Sequence, residues 1–138
     1  MRFWDSSAVL PLLLDEPFAA RVQGLLERDA VMVVSWATPI ECWSAVARAR
    51  REDRISAETE ERAVKLLEML QKSWYEVTPS EAVRRQSRRL LRIHPLRAAD
   101  ALQLAAAIVW SGQQDGSEFV SFDARLREAA RREGFALL

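Results

Sequence analysis

The chain has 138 residues, 49% of them hydrophobic and 29% charged, with 20 basic side chains set against 20 acidic ones for a formal net charge of zero. That size fits one domain over residues 1–138 with a core of its own, without disulfide staples, and the charge balance excludes a coat protein held on nucleic acid by bulk electrostatics. The lone cysteine, Cys42, has no internal partner and fits a reducing cytoplasm, while the longest nearly uncharged stretch, Ala101 to Trp110, is about half of what a membrane span needs, so no membrane contact is expected.

Arg2-Phe3-Trp4 is the first strand candidate, followed by helical patterns over Ala8–Leu14 and Pro17–Glu27. Asp5 precedes the apolar Ala8–Leu14 run and Asp15-Glu16 closes it, so it is read as mature protein and not as a signal segment. Val31–Val34 predicts a second strand and Pro39–Arg51 a helix. Ala57–Gln71 carries Val64, Leu67, Met69 and Leu70 near a helical period. Trp74–Val77 predicts the third strand, and helices follow over Pro79–Arg92 and Ala98–Ser111. Phe119–Phe122 predicts the fourth strand, Ala124–Glu133 a last helix stopped by Gly134, and Phe135–Leu138 the fifth strand.

Strands alternating with helices imply right-handed crossovers and a mostly parallel sheet of about five strands covered on both faces, a three-layer α/β/α sandwich. Ligands of such sheets bind beyond the carboxyl ends of the strands. Asp5 and Asp123 stand there, each where a strand hands over to a helix, and each is also an ordinary N-cap. Thr38-Pro39-Ile40-Glu41 reads as a capping box with Thr38 as N-cap and Glu41 reaching back. Thr78-Pro79-Ser80-Glu81 repeats that pattern, so the pattern alone marks no site. Glu41 differs in opening an apolar helix through Cys42, Trp43, Ala45, Val46 and Ala47. Asp100 begins the most apolar helix, where an acid needs a partner, either a cation or Arg97.

These four acids, in order and spacing, resemble the PIN-domain ribonucleases, and in size and motif wording the VapC-type toxins of toxin–antitoxin pairs. Asp5 in Trp4-Asp5-Ser6-Ser7 matches the opening acid, Glu41 the helix-start glutamate, Asp100 the acid of the Ala-Ala-Asp-Ala helix, and Asp123 the acid of Ser-Phe-Asp. Some relatives have a further acid just after the last; here Ala124 and Arg125 follow, leaving four matched acids, enough for a first metal ion.

The resemblance implies a PIN-like fold and hydrolysis of RNA phosphodiester bonds by a metal-activated water. Gathered carboxylates call for a hard divalent cation, Mg²⁺ or in its place Mn²⁺. Asp5 and Asp100 are expected to carry the metal, Glu41 and Asp123 to act through water or at a second site, and Ser7 and Ser121 to orient the carboxylates. Arg97 and Arg125, each within three residues of a matched acid, are the RNA-backbone candidates. Arg84, Arg88 and Arg92 form a stripe that reads first as a solvated face. The five tryptophans read as core or interface.

Other chemistries lack parts. His94 is the sole histidine and reads as structural, and Cys42 reads as a buried hydrophobe. No Gly-rich phosphate loop exists, and a receiver-type aspartate is missing after the third strand. The family further implies a homodimer and a cognate antitoxin whose C-terminal segment covers the site. Two alternatives stand beside the toxin reading: a PIN-fold binding module with a weakened site, and a housekeeping RNA-processing nuclease without antitoxin.

Overall fold

Short β-branched and aromatic runs become strands in this chain, and the amphipathic runs between them become helices. In the computed structural model, which describes residues 1–112 and 114–138, the order is β1 (Arg2–Trp4), α1 (Ser6–Leu14), α2 (Ala19–Arg28), β2 (Met32–Ser35), α3 (Thr38–Arg51), α4 (Ala57–Gln71), β3 (Tyr75–Val77), α5 (Glu81–Ile93), α6 (Ala98–Ser111), β4 (Glu118–Val120), α7 (Ala124–Arg132) and β5 (Ala136–Leu137). The strands form one sheet in the order β3-β2-β1-β4-β5. Every neighbouring pair is parallel, so the mostly parallel sheet of the sequence reading is wholly parallel.

Successive side chains of a strand point to opposite faces, and this alternation divides the core in two. Phe3, Val33 and Phe119 face α5, α6 and α7, packing on Leu90, Leu104 and Leu126. Trp4, Val34 and Val120 face α1 to α4, packing on Val9, Val22, Val46 and Leu67. The three-layer sandwich follows directly. β1 is central and buried on both faces, so the residue after it, Asp5, emerges in the middle of the sheet's carboxyl edge. Among the described residues no helix is long and apolar enough to cross a membrane.

Local chemistry moves several helix starts from their expected places. α1 begins at Ser6, because the Asp5 carboxylate already accepts from the Ser7 amide. The two Thr-Pro-x-Glu capping boxes both fail. α3 begins at Thr38 itself, with Ala37 in the cap position and no side chain capping it. α5 begins at Glu81, capped by the Ser80 hydroxyl, which accepts from the Val83 amide. In α4 Leu67 faces inward as expected, whereas the expected apolar position Met69 is 65% exposed and Ala63 is buried in its stead. Gly134 ends α7 at φ +90, where a Cβ would meet the Asp115 carboxylate at 2.8 Å.

Two polar ties hold the periphery. Buried Arg2 donates to Glu118 on β4 at 2.6 Å and to the Leu25 carbonyl at the end of α2 at 2.7 Å. His94, buried as its structural reading implies, shares a 2.7 Å hydrogen bond with Glu133, which also pairs with Arg89. Burial raises the Glu133 carboxyl, but the bonds from Arg89 and His94 lower it more and hold it below the usual range. The C-terminal ends of α5 and α7 are thereby joined.

Phe119 is fully buried, stacks on Phe3 at 5.5 Å and meets Phe135 at 5.5 Å. Phe119→Ala is expected to lower unfolding free energy by about 3–5 kcal/mol, read from the urea midpoint, with no change in the m-value.

Candidate active site

Asp5 is 4% exposed. Its amide still belongs to the sheet, donating to the Val120 carbonyl at 3.2 Å, while its side chain caps α1. The Ser7 hydroxyl donates to Asp5 Oδ1 at 2.9 Å and the Ser7 amide to Oδ2 at 3.2 Å. Ser7 then crosses to the β4–α7 corner: its oxygen accepts from the Phe122 amide at 2.8 Å and lies 3.3 Å from the Ser121 hydroxyl. Ser121 accepts in turn from the Asp123 amide at 3.1 Å. One hydroxyl chain therefore links the two strand-end acids, and the Asp123 carboxylate itself caps α7 by accepting from the Leu126 amide at 2.8 Å.

Glu41 reaches forward, not back to its own helix start. The Ser6 hydroxyl donates to one of its oxygens at 2.6 Å, and Gln103 of α6 donates its amide to the other at 3.0 Å. Gln103, 1% exposed, also donates to the buried Thr38 hydroxyl at 3.1 Å. Thr38, expected as a cap, is thus spent on locking α3 to α6. Ser6, Thr38 and Gln103 were not singled out for the site by sequence. The available signal was Gln103 itself, a polar residue amid apolar ones, one turn after Asp100.

Asp100 sits in the first turn of α6, half-buried, and accepts from the Arg97 amide at 3.3 Å. It bonds to neither Asp5 nor Glu41; its helix links it to Glu41 through Gln103. Arg97, at the cap of α6, and Arg125, in the first turn of α7, are exposed and form no ion pair among the described residues.

Burial raises the Asp5 carboxyl from an ordinary 3.8 to about 7, against the lowering effect of Ser7 and Ser121, and the nearby Glu41 charge raises it further. Cys42 records the same field: burial first, then the charges of Glu41 and Asp5, push its thiol up to about 12, so it stays a protonated, inert hydrophobe. Among the described residues, no ion pair neutralises Asp5, Glu41, Asp100 or Asp123, although eleven ion pairs form elsewhere. Nor do three Asp, Glu, His or Cys side chains among them converge into a ready metal cage. The donor set is all oxygen and anionic, with one carboxylate buried and short of countercharge. That fits a hard cation held by one or two carboxylates and water, and does not fit a nitrogen–sulfur zinc site.

The PIN domain family matches residues 2–132. The chain belongs to the PIN domain family. No curated relative matches the sequence. Among solved structures, this PIN domain is similar to Mycobacterium tuberculosis VapC20, described as a Sarcin-Ricin loop cleaving toxin, with a TM-score of 0.69, 18% identity, and coverage of 94% of this chain and 95% of that one. It is also similar to a chain of a toxin–antitoxin complex from Klebsiella pneumoniae, with a TM-score of 0.67, 17% identity, and coverage of 99% and 96%. At such identities these likenesses concern the fold.

The raised Asp5 carboxyl has a thermodynamic sign. Native protein holds a proton there that the unfolded chain releases near 3.8, so this contribution is fully present below that value and is lost as pH rises to about 7. In metal-free buffer, Asp5→Asn is expected to remove that part of the decline in melting temperature and to be the more stable protein at pH 8. Parallel melting curves for the two across pH 4 to 8 would contradict it.

Proposed function

We propose that this PIN domain, spanning residues 1–138, is a metal-dependent endoribonuclease and the toxin of a toxin–antitoxin pair. The observation that carries the reading is a carboxylate buried at the end of the central strand, close enough to Glu41 to feel its charge, with no ion pair on Asp5, Glu41, Asp100 or Asp123 among the described residues. The two similar structures, a Sarcin-Ricin loop cleaving toxin and a chain of a toxin–antitoxin complex, support it.

In this reading Asp5 and Asp100 hold Mg²⁺, with Mn²⁺ as a substitute, and Glu41 and Asp123 act through bound water. When present, the ion offsets charge on the phosphate and lowers the pKa of a water ligand. The chain supplies orientation. Ser7 fixes both oxygens of Asp5, and Ser121 ties that arrangement to the corner bearing Asp123. Ser6 and Gln103 clamp Glu41, so its carboxylate keeps one direction without a countercharge. Arg97 and Arg125 receive the RNA backbone.

The protein acts in the cytoplasm, where its antitoxin covers the acids with a basic side chain; a guanidinium matches carboxylate geometry and replaces the cation. A homodimer is supported by an exposed apolar stripe, Trp36, Ile40 and Trp43, exposed by 49%, 51% and 41% and spaced along one face of α3 and its entry. Only Trp4 and Trp74 of the five tryptophans are core residues in the full sense.

RNA cleavage by Asp100→Asn is expected to fall by roughly 10²-fold or more, with the melting curve retained. Glu81→Gln, which removes only an exposed pair with Arg84, should cleave as the wild type does. Equal behaviour of the two variants would end the nuclease reading. Added Mg²⁺ should raise the melting temperature of the wild type, and Asp5→Asn should blunt that rise. In its host, the protein expressed alone should slow growth, and co-expression of the small protein encoded beside it should relieve the arrest.

A further inference from the structure

Charge on the helix surfaces is not evenly shared. Several surface charges of the other helices are paired, as in Lys65–Glu61 and Arg50–Glu60 on α3 and α4 and Arg131 and Arg132 with Glu128 on α7. α5 has the largest positive excess. In a chain of zero net charge it carries five arginines and one glutamate, a net charge of +4.

The structure separates those arginines by direction. Val83, Ser87 and Leu90 face the core. Arg84 and Arg89 lie on the flanks and are used, Arg84 on Glu81 and Arg89 on Glu133. Arg85, Arg88 and Arg92, at i, i+3 and i+7, stand opposite the buried face, exposed and without an ion pair or hydrogen bond among the described residues. Arg84, Arg88 and Arg92 are all solvated as the sequence implies, and the row left without a partner is Arg85, Arg88 and Arg92. It spans ~10 Å of helix axis. Beyond it the chain turns through His94 and Pro95, which line a cavity with Ala124 and Arg125, and reaches Arg97 and Asp100.

We propose that Arg85, Arg88 and Arg92 form a phosphate track that leads an RNA strand along α5 to Arg97, Arg125 and the acid site. The inference rests on the reading of RNA as substrate and extends it to a second binding surface. Guanidiniums repeating along a convex ridge suit a polyanion that repeats a phosphate, because each pairs with two oxygens without needing a pocket. The exposed apolar residues of α5, Leu91 and Ile93, lie beside the arginine row and not within it, so the row itself offers a partner only charge. The track is sequence-blind. It raises the affinity for long RNA and leaves the choice of cleavage position to the site itself.

The test is the salt dependence of binding to a fluorescent single-stranded RNA made uncleavable by 2′-O-methylation. Arg85→Gln/Arg88→Gln/Arg92→Gln is expected to bind more weakly and to lower the slope of log K against log salt by about 2, from three phosphates at ~0.7 each. Lys65→Gln on α4, a helix outside the proposed track, should leave the slope nearly unchanged. The melting temperature of the triple variant should match the wild type, and its cleavage of a very short RNA should persist while cleavage of a long one weakens. An unchanged slope in the triple variant, with wild-type cleavage intact, overturns the track alone. A slope that falls as expected in a protein that cleaves nothing keeps the track and overturns the nuclease. Wild type that binds no RNA overturns both, and tighter binding to polyglutamate than to RNA assigns the ridge to an acidic protein.

Discussion

Burial of a carboxylate at the end of the central strand is the constraint around which this domain is arranged. Asp5 has Phe3 and Trp4 before it, both fully enclosed in the two halves of the core, and it inherits their dry surroundings with a group that water would otherwise solvate. An acid in that position needs donors at fixed places. The fold supplies them from α1, one turn away, and from the β4–α7 corner, far away in sequence, through Ser7 and Ser121. Neither donor is charged, so the carboxylate is oriented but its charge is left open to a cation.

The rest of the edge follows the same economy. Glu41 is clamped by a hydroxyl and an amide, groups that fix direction without neutralising. Gln103 reaches it only because α6 approaches the sheet closely, and α6 does so because Ala101, Ala105, Ala106 and Ala107 are nearly or fully buried small residues. Small side chains on that helix are therefore part of the site although none touches it. Keeping two carboxylates near one another without an internal partner costs stability, and the continuous apolar packing on both faces of the sheet offsets it.

The strand and helix order was legible from the alternation of short β-like runs with amphipathic ones, and parallel pairing follows from the crossovers. Helix starts were less legible. Thr38-Pro39-Ile40-Glu41 looks like a capping box by local grammar, but tertiary partners outbid the local bond: Thr38 goes to Gln103, and Glu41 to Ser6 and Gln103. The positions of Asp5 and Asp123 at strand ends could be read from pattern alone. The Ser7–Ser121 link between them could not, because it joins residues more than a hundred positions apart whose hydroxyls have no periodicity to reveal it. The same holds for α5, where the sequence shows five arginines and only the structure shows which three are left without a partner.

The pairing of β1 with β4 sets Phe3 against Phe119 and Trp4 against Val120. More than a hundred residues separate the central strand from this neighbour, so the sheet cannot close until β4 is available to pair with β1. Contacts of such sequence separation make for slow folding, since a long loop must close before the pairing rewards it. The acid cluster straddles that same junction, with Asp5 on one side and Asp123 on the other. A chain that lacks β4 therefore holds Asp5 without the corner that orients it, and the fold itself delays assembly of the acid site until the Ser121–Asp123 corner is in place.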